Sequence, residues 1–270
     1  MKPVISFAGS RKSIVKQLLE MEPSSYNRFI DGSAGTLVHP LAHLVKERIV
    51  FDNNPHVVNM HRCVKEKPEE LIGELSKHHH AYNALTSLDG KHAYYKTQVG
   101  KFNDPGFSGL SSTEQAATFI DLVKLGFNGL VRMNSKGHWN VPFGQKDKVS
   151  ICDESNIRLV HAAMGSLTIS HGEYMRVLDV AEEGDLVIID TDLSSGKELP
   201  VRAIKLVMVC EELDARKAHW MLIIPDTGYA YSQFGDYCIT PIVSPSRISA
   251  KTSGRKSRQF LVVTNYTSNC

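Results

Sequence analysis

The sequence predicts an α/β fold, and three observations carry that prediction. Residues 28–36 have the pattern of a short strand that runs into a glycine-containing turn, and a second strand follows at 49–54. This arrangement resembles the βαβ unit that binds nucleotides. Residues 184–193 form a strongly β-prone apolar run, which is typical of a buried strand. Residues 56–118 have a helical pattern with polar faces.

Composition favours a soluble globular protein without a basic field over its whole surface. The 270 residues are 42% hydrophobic and 22% charged, and the formal net charge is only +2, so any basic surface must be local. The five cysteines have no zinc-ligand spacing, which suits a reducing cytoplasm. We expect no secretory signal and no membrane partner, because no apolar run approaches the roughly 20 residues of a membrane span.

A metal ion is not expected either. The three consecutive histidines at 78–80 are the most suggestive feature, but adjacent residues on a helix do not share a face. They are better interpreted as a solvated helix end.

The segment 28–54 supplies the candidate ligand-binding residues Asp31, Gly35 and Asp52. A glycine turn admits a ligand, and a carboxylate at the end of the next strand can bind ribose hydroxyls. Asp52 follows Asp31 by 21 residues, and a helix is predicted between the strands over 37–46. The alternative is that the turn is structural, since many α/β domains carry one such turn without a ligand.

The strand at 184–193 ends in two acids, Asp190 and Asp192. An α/β sheet binds its ligands at the carboxyl ends of its strands, so both are candidate catalytic residues. Two neighbouring carboxylates can move their pKa values apart, and one can then act as a general base. The alternative is that Asp192 simply faces water.

Residues 127–145 are predicted to form a β-hairpin. The sequence Asn-Ser-Lys-Gly at 134–137 is typical of a turn, and apolar or aromatic residues lie on both sides. Such a hairpin fits a DNA major groove, where arginine can bond guanine and an amide can bond adenine through two hydrogen bonds. A hairpin that is merely solvated remains the alternative. The candidate DNA-binding residues are Arg132, Asn134, Lys136, His138, Asn140 and Pro142.

The stretch Phe-Asn-Gly-Leu-Val-Arg-Met-Asn-Ser-Lys-Gly-His-Trp-Asn-Val-Pro-Phe-Gly at 127–144 resembles the DNA-reading hairpin of the DNA adenine methyltransferase (Dam) family. The resemblance implies a Rossmann-like core with a seven-stranded sheet, an inserted helical recognition domain, and double-stranded DNA as the partner. The core would comprise residues 1–55 and 146–270, and the insert residues 56–145 with the hairpin.

The resemblance also implies a binding site for S-adenosylmethionine (SAM). Phe7 and Gly9 match the family's opening stretch, Arg11 stands where the family has lysine, and Glu173 keeps an acid after a later strand. The basic segment around residues 246–256 resembles a DNA-contacting loop of phage Dam proteins. Its candidate phosphate-binding residues are Arg247, Ser249 and Lys251. A solvated loop is the alternative there.

The sequence also departs from the family. Ser33 stands where the cofactor turn has phenylalanine, Thr36 replaces a small residue, and Asp-Thr-Asp-Leu at 190–193 replaces Asp-Pro-Pro-Tyr. These changes leave SAM binding open. We expect a phage-type DNA-modification enzyme that acts on a flipped base by a redirected group transfer. The alternatives are a catalytically inactive DNA-binding homologue and an N6-adenine methyltransferase with a non-standard motif.

Overall fold

The structure is a computed structural model that describes residues 1–6, 10–43, 47–193, 199–244 and 258–267. Its strands are β1 (Phe29–Asp31), β2 (Arg48–Asp52), β3 (Leu167–His171), β4 (Leu186–Asp190), β5 (His219–Pro225), β6 (Cys238–Ser244) and β7 (Arg258–Thr264). They form one seven-stranded sheet in the order β3-β2-β1-β4-β5-β7-β6. Only β7 runs antiparallel to its neighbours, β5 and β6, within this sheet. The predicted α/β class with seven strands is confirmed.

Helices fill most of the stretch 56–118, where the sequence pattern predicts them. The helices of the structure are α1 (Val15–Glu20), α2 (Pro55–Glu66), α3 (Pro68–Asn83), α4 (Leu88–Asn103), α5 (Ser112–Leu125), α6 (Glu154–Met164), α7 (Leu199–Ala215) and α8 (Gly228–Phe234). α5 begins with a capping box in which Ser111 and Glu114 each bond the other's backbone N–H. Within the described residues, we find no helix that is both long enough and apolar enough to cross a membrane.

The chain divides into two compact units. One contains residues 1–10 and 54–165, with α2 to α6. The other contains residues 11–53 and 166–270, with the whole sheet.

The sheet is buried on both faces, as its apolar strands predict. Leu186 and Ile188 of β4 pack with Leu18 of α1 on one face. Val187 and Ile189 pack on the other face with a cluster that includes residues of α7. Successive side chains of β4 point to opposite faces of the sheet, so they pack alternately into two separate hydrophobic cores.

The predicted helix at 37–46 is wrong for the part that is described. Residues up to His43 contain only a 3₁₀ turn at Pro40–Ala42, and residues 44–46 lie outside the described chain. Leu37 has a φ of 57°, which is left-handed and cannot continue a right-handed helix. Pro40 cannot donate a backbone hydrogen bond to the preceding turn.

The contact between Gly32 and Tyr174 gives a stability prediction. A Cβ on Gly32 would lie 3.0 Å from the Tyr174 Cβ and 3.1 Å from its Cα, so Gly32→Ala overpacks the core. We expect the free energy of unfolding to fall by about 1–3 kcal/mol. Gly73 lies inside α3 with nothing within 4 Å of its added Cβ. Gly73→Ala should therefore raise stability by about 0.5–1 kcal/mol.

Urea unfolding monitored by circular dichroism compares the two variants with the unmodified chain. Both substitutions add one methyl group. The sign of the change in the free energy of unfolding therefore shows whether that methyl group has room at each position. A Gly32→Ala protein as stable as the unmodified chain would contradict the close approach of Tyr174.

Candidate functional site

Three parallel strands of the sheet each end in an aspartate. β1 ends at Asp31, β2 at Asp52 and β4 at Asp190, and β1 lies between the other two. Parallel neighbours end at the same edge of a sheet, so this edge concentrates negative charge.

Arg11 joins two of these carboxylates. It lies in a 3₁₀ turn at Arg11–Ser13 and is 7% exposed. Its Nη1 and Nη2 donate to the two carboxylate oxygens of Asp31 at 2.9 and 3.1 Å, and its Nε donates to Asp190 Oδ2 at 3.0 Å. Burial alone would lower the pKa of Arg11, but the charges of Asp31 and Asp190 outweigh it and raise the pKa. The guanidinium is therefore a permanent cation between two anions.

Ser33 contacts both Arg11 and Asp190. Its carbonyl oxygen accepts from Arg11 Nη2 at 2.6 Å, and its hydroxyl oxygen accepts from the backbone N–H of Asp190 at 2.9 Å. The residue that replaces the family's phenylalanine thus ties the turn after β1 to the end of β4.

Asp190 keeps one carboxylate oxygen for a ligand. Arg11 bonds Oδ2, whereas Oδ1 has no hydrogen-bond partner within the part of the chain that the structure describes, and the side chain is 28% exposed. Loss of solvation raises the pKa of Asp190, the charge and hydrogen bond of Arg11 lower it, and Asp31 and Asp192 raise it again. The net pKa lies above the ordinary value for aspartate.

Asp31 and Asp192 both add negative charge near Asp190, but their surroundings differ. The carboxylate that shares a cation with Asp190 is that of Asp31, and Asp192 is exposed. Leu193, at the position of the family's tyrosine, is 1% exposed and packs in the core beside Ile189. An aromatic side chain for base stacking is therefore missing at that position.

The glycine turn after β1 is bonded to Asp52 and contains two residues with left-handed backbone. Asp52 Oδ2 accepts from the Gly35 N–H at 2.9 Å. Gly35 and Leu37 have φ values of 50° and 57°, and a left-handed leucine is costly because its Cβ crowds the backbone. The turn therefore holds a conformation that two glycines would adopt with less strain. Glu173 is exposed, and it follows β3 at the start of a 3₁₀ turn.

These donor groups fit SAM in part. The half-buried Asp52 stands at a strand end where it can meet ribose hydroxyls, beside the glycine turn to which it is bonded. Asp31 fits less well, because both of its oxygens are already bonded by Arg11 and Oδ1 also accepts from the Ser33 N–H at 2.9 Å. The predicted ligand residues Asp31 and Arg11 thus pair with each other.

Several predicted residues lie outside the described residues. They are Phe7 and Gly9 of the cofactor set, and Arg247, Ser249 and Lys251 of the basic segment.

The predicted hairpin has hairpin pairing around its turn. Met133 pairs with Trp139 in a bridge, and the Asn134 N–H donates to the His138 carbonyl oxygen at 2.9 Å. Gly137, at a φ of 77°, occupies the position where the turn requires left-handed backbone. The paired stretch is short, and residues 127–129 form a 3₁₀ turn instead of a strand.

The hairpin is anchored through one side and exposes the other. Trp139 is 2% exposed; its backbone N–H donates to Asn103 Oδ1 at 2.7 Å, and its indole Nε1 donates to the Tyr95 hydroxyl at 2.9 Å. All the predicted DNA contacts are exposed: Arg132, Asn134, Lys136, His138, Asn140 and Pro142. Arg132 is further held by bonds of 2.8 Å to the Asn140 side-chain and main-chain oxygens.

Sequence reasoning missed two residues behind Arg11. His39 Nδ1 lies 3.5 Å from Arg11 Nη1, and His39 Nε2 lies 2.7 Å from Glu22 Oε1. Neither residue belongs to a motif, and His39 lies in the stretch that was predicted as helix, so no sequence signal identified them.

Comparison with known proteins supports the same family as the hairpin. Residues 7–191 match the model of the D12 class N6 adenine-specific DNA methyltransferase family. The matched range covers more than half of the chain and includes the whole segment from β1 to β4.

Two sequence relatives that match over nearly their whole length are named as type II methyltransferases. The chain is 24% identical to the type II methyltransferase M1.LlaDCHI of Lactococcus lactis subsp. cremoris, over 98% of this chain and 96% of that one. It is 26% identical to the type II methyltransferase M.MjaIII of Methanocaldococcus jannaschii, over 98% and 99%. A solved precorrin-6y C5,15-methyltransferase from Geobacter metallireducens is 12% identical, over 99% and 100%, with a TM-score of 0.41. On the family match over residues 7–191, the chain belongs to the D12 class N6 adenine-specific DNA methyltransferase family.

Proposed function

We propose that the protein is a SAM-dependent methyltransferase that modifies the N6 amine of adenine in double-stranded DNA. The observation that carries the proposal is the state of Asp190. It lies at the carboxyl end of β4, one oxygen is fixed by Arg11, and the other has no partner within the described residues. A carboxylate in this state can accept a hydrogen bond from an exocyclic amine without releasing Arg11, because its two oxygens have about four acceptor sites.

We assign different roles in binding and orientation to the residues at this edge of the sheet. SAM, when bound, supplies the methyl group. Asp52 and the turn at Gly35 would hold the ribose of SAM, with Glu173 beside them on the exposed side. Asp190 would orient the adenine amine and accept its hydrogen bond, while Arg11 prevents the carboxylate from turning.

The exposed residues of the hairpin would read the DNA sequence. Arg132 and Asn140 combine the donors that recognise guanine and adenine in the major groove, and their mutual bonds reduce the freedom that binding would remove. Lys136 at the turn suits a phosphate contact, which positions the protein and carries no sequence information.

A second candidate function is sequence-specific DNA binding without methyl transfer. The burial of Leu193 favours it, because stacking on an aromatic is worth about 1–3 kcal/mol per base and no aromatic stands at this position. The redirected group transfer that the altered motif suggested has no support from the family match, which is to N6 adenine-specific DNA methyltransferases, and we do not propose it.

Mass spectrometry of nucleosides tests the proposed function. Duplex DNA from a host without adenine methylation is incubated with the protein and SAM, and then digested. We expect N6-methyl-2′-deoxyadenosine to appear in proportion to enzyme and time. DNA binding without any methylated base would favour the second candidate, and a different mass increment would contradict both.

The pH dependence of methyl transfer should report the raised pKa of Asp190. The acceptor is the ionised carboxylate, so activity is lost as the pH falls through that pKa. The acidic limb should therefore lie above the value of about 3.9 for an ordinary aspartate. Single-turnover rates at saturating SAM, measured across pH, locate the limb. Asp190→Asn should reduce the rate roughly 10²–10⁴-fold, whereas Glu183→Gln, a change of an exposed acid, should leave both rate and limb unchanged.

The hairpin interpretation predicts two different effects of removing a charge. Arg132→Ala should relax sequence preference at one base pair, at a cost of about 1–3 kcal/mol. Lys136→Ala should weaken binding to all duplexes alike and reduce the slope of affinity against salt. Fluorescence anisotropy with a set of single-substitution duplexes at several salt concentrations separates them. Equal weakening on all sequences by Arg132→Ala would refute a base contact.

A further inference from the structure

A buried pair of residues stands behind the site in the unit that contains the sheet. Glu22 follows α1, and His39 lies beside the 3₁₀ turn at Pro40–Ala42. Glu22 Oε1 lies 2.7 Å from His39 Nε2, and His39 Nδ1 lies 3.5 Å from Arg11 Nη1. The His39 side chain is 0% exposed and that of Glu22 is 8% exposed. A continuous chain of polar contacts therefore runs from Glu22 through His39 and Arg11 to Asp190.

The partners of His39 determine its protonation state. A guanidinium has only donors, so the Nδ1 atom that faces Arg11 must present its lone pair. The proton of the neutral imidazole then lies on Nε2 and is donated to Glu22. Burial, the largest effect, lowers the pKa of His39, which agrees with a neutral ring. Burial raises the pKa of Glu22, but the hydrogen bond with His39 and the proximity of the His43 ring outweigh it and hold that pKa below its ordinary value.

We propose that His39 and Glu22 are positioning residues for the methyl transfer, because they fix the guanidinium of Arg11 and so orient the carboxylate of Asp190 towards its substrate. The inference rests on the proposed function for its catalytic meaning. The structural part, that His39 restrains Arg11, stands independently. A displacement of about 1 Å at a reacting group can cost about a hundredfold in rate, so the restraint matters for turnover.

A metal ion is the competing interpretation of the same cluster. Ligand atoms of Glu22, His39 and His43 all lie within 4.8 Å of one another, which is compact enough for zinc. A metal on Nε2 of His39 would move the proton to Nδ1, where it would face the donors of Arg11. The contact with Arg11 therefore favours the hydrogen-bonded chain.

His43 provides a matched control. It lies 3.1 Å from Glu22 through Nε2 and stacks on Phe29, whose ring His39 also contacts. Its Nδ1 contacts the Tyr26 hydroxyl at 2.9 Å. His39→Leu and His43→Leu thus make the same chemical change beside the same partners, and only the first removes the acceptor that faces Arg11.

Two measurements test the proposal on the full chain. The first is the ¹⁵N–¹H signal of the Arg11 Nε group, identified by its loss in Arg11→Lys. The second is steady-state methyl transfer with separate kcat and KM. We expect His39→Leu to broaden or remove the signal and to reduce kcat about tenfold to a hundredfold, with a smaller change in the KM for SAM. His39→Gln supplies an amide acceptor and donor, so it should restore the signal and most of the rate. His43→Leu removes a contact with Glu22 but leaves the acceptor that faces Arg11, so it should change the signal and the rate much less than His39→Leu does.

The outcomes separate the inference from the proposed function. An Arg11 signal in His39→Leu that matches the unmodified chain would overturn the inference, whatever the activity. The expected signals without any methylated product would leave the restraint established and refute the proposed function. If His39→Leu does not fold, Glu22→Ala and Glu22→Gln ask the same question: the first should weaken the Arg11 signal, and the second should keep it.

A zinc titration completes the test. Thermal stabilisation of the unmodified chain by one equivalent of zinc, lost equally in His39→Leu and His43→Leu, would establish the metal site and overturn the inference. No stabilisation by zinc agrees with the hydrogen-bonded chain.

Discussion

The edge of the sheet depends on the guanidinium of Arg11. β1 and β4 are parallel neighbours and both end in aspartate, so the fold brings two carboxylates together. Removing one partner of a buried ion pair is strongly destabilising, because it leaves a charge without compensation. Arg11 supplies three donors to the two acids and is itself buried, so the position of Asp190 is set by that of Asp31. Asp190, which the proposed function assigns to the adenine amine, is therefore part of a fixed group of three charges with Arg11 and Asp31.

Helix α1 lies between two of the polar residues that support this site. Arg11 precedes α1 and Glu22 follows it, so one short segment supplies the cation and the anion that orients His39. Leu18 of α1 is 0% exposed and packs against Phe29 and Ile188 of the sheet. Apolar packing of a six-residue helix thus fixes two polar groups that such a helix could not place by itself, since isolated helices of this length are not stable.

The sequence predicted most of the fold because buried strands and amphipathic helices leave periodic patterns. The apolar run before Asp190 is β4, and the alternation of exposed polar residues with buried Trp139 and Val141 is one side of the hairpin. The prediction failed after the glycine turn, where a left-handed Leu37 and the ring of Pro40 prevent a helix. A left-handed leucine has no sequence signal, because the surrounding structure has to impose it.

From the sequence, only the site residues that lie at the ends of predicted strands could be located. The strand pattern located Asp190 and its neighbour Asp192, but it gave no sign that Asp31, 159 residues away, shares a cation with Asp190. The pairing of Asp190 with Arg11 also limits the effect of the altered motif at 190–193. Arg11 and the sheet set the geometry of the retained acid, whereas the replaced residues act locally, and Leu193 has joined the core. Losing an aromatic stacker weakens base binding by about 1–3 kcal/mol, which lowers affinity but leaves the acceptor in place. Methyl transfer and simple DNA binding therefore differ here in how well the base is held, and not in whether the acid is present.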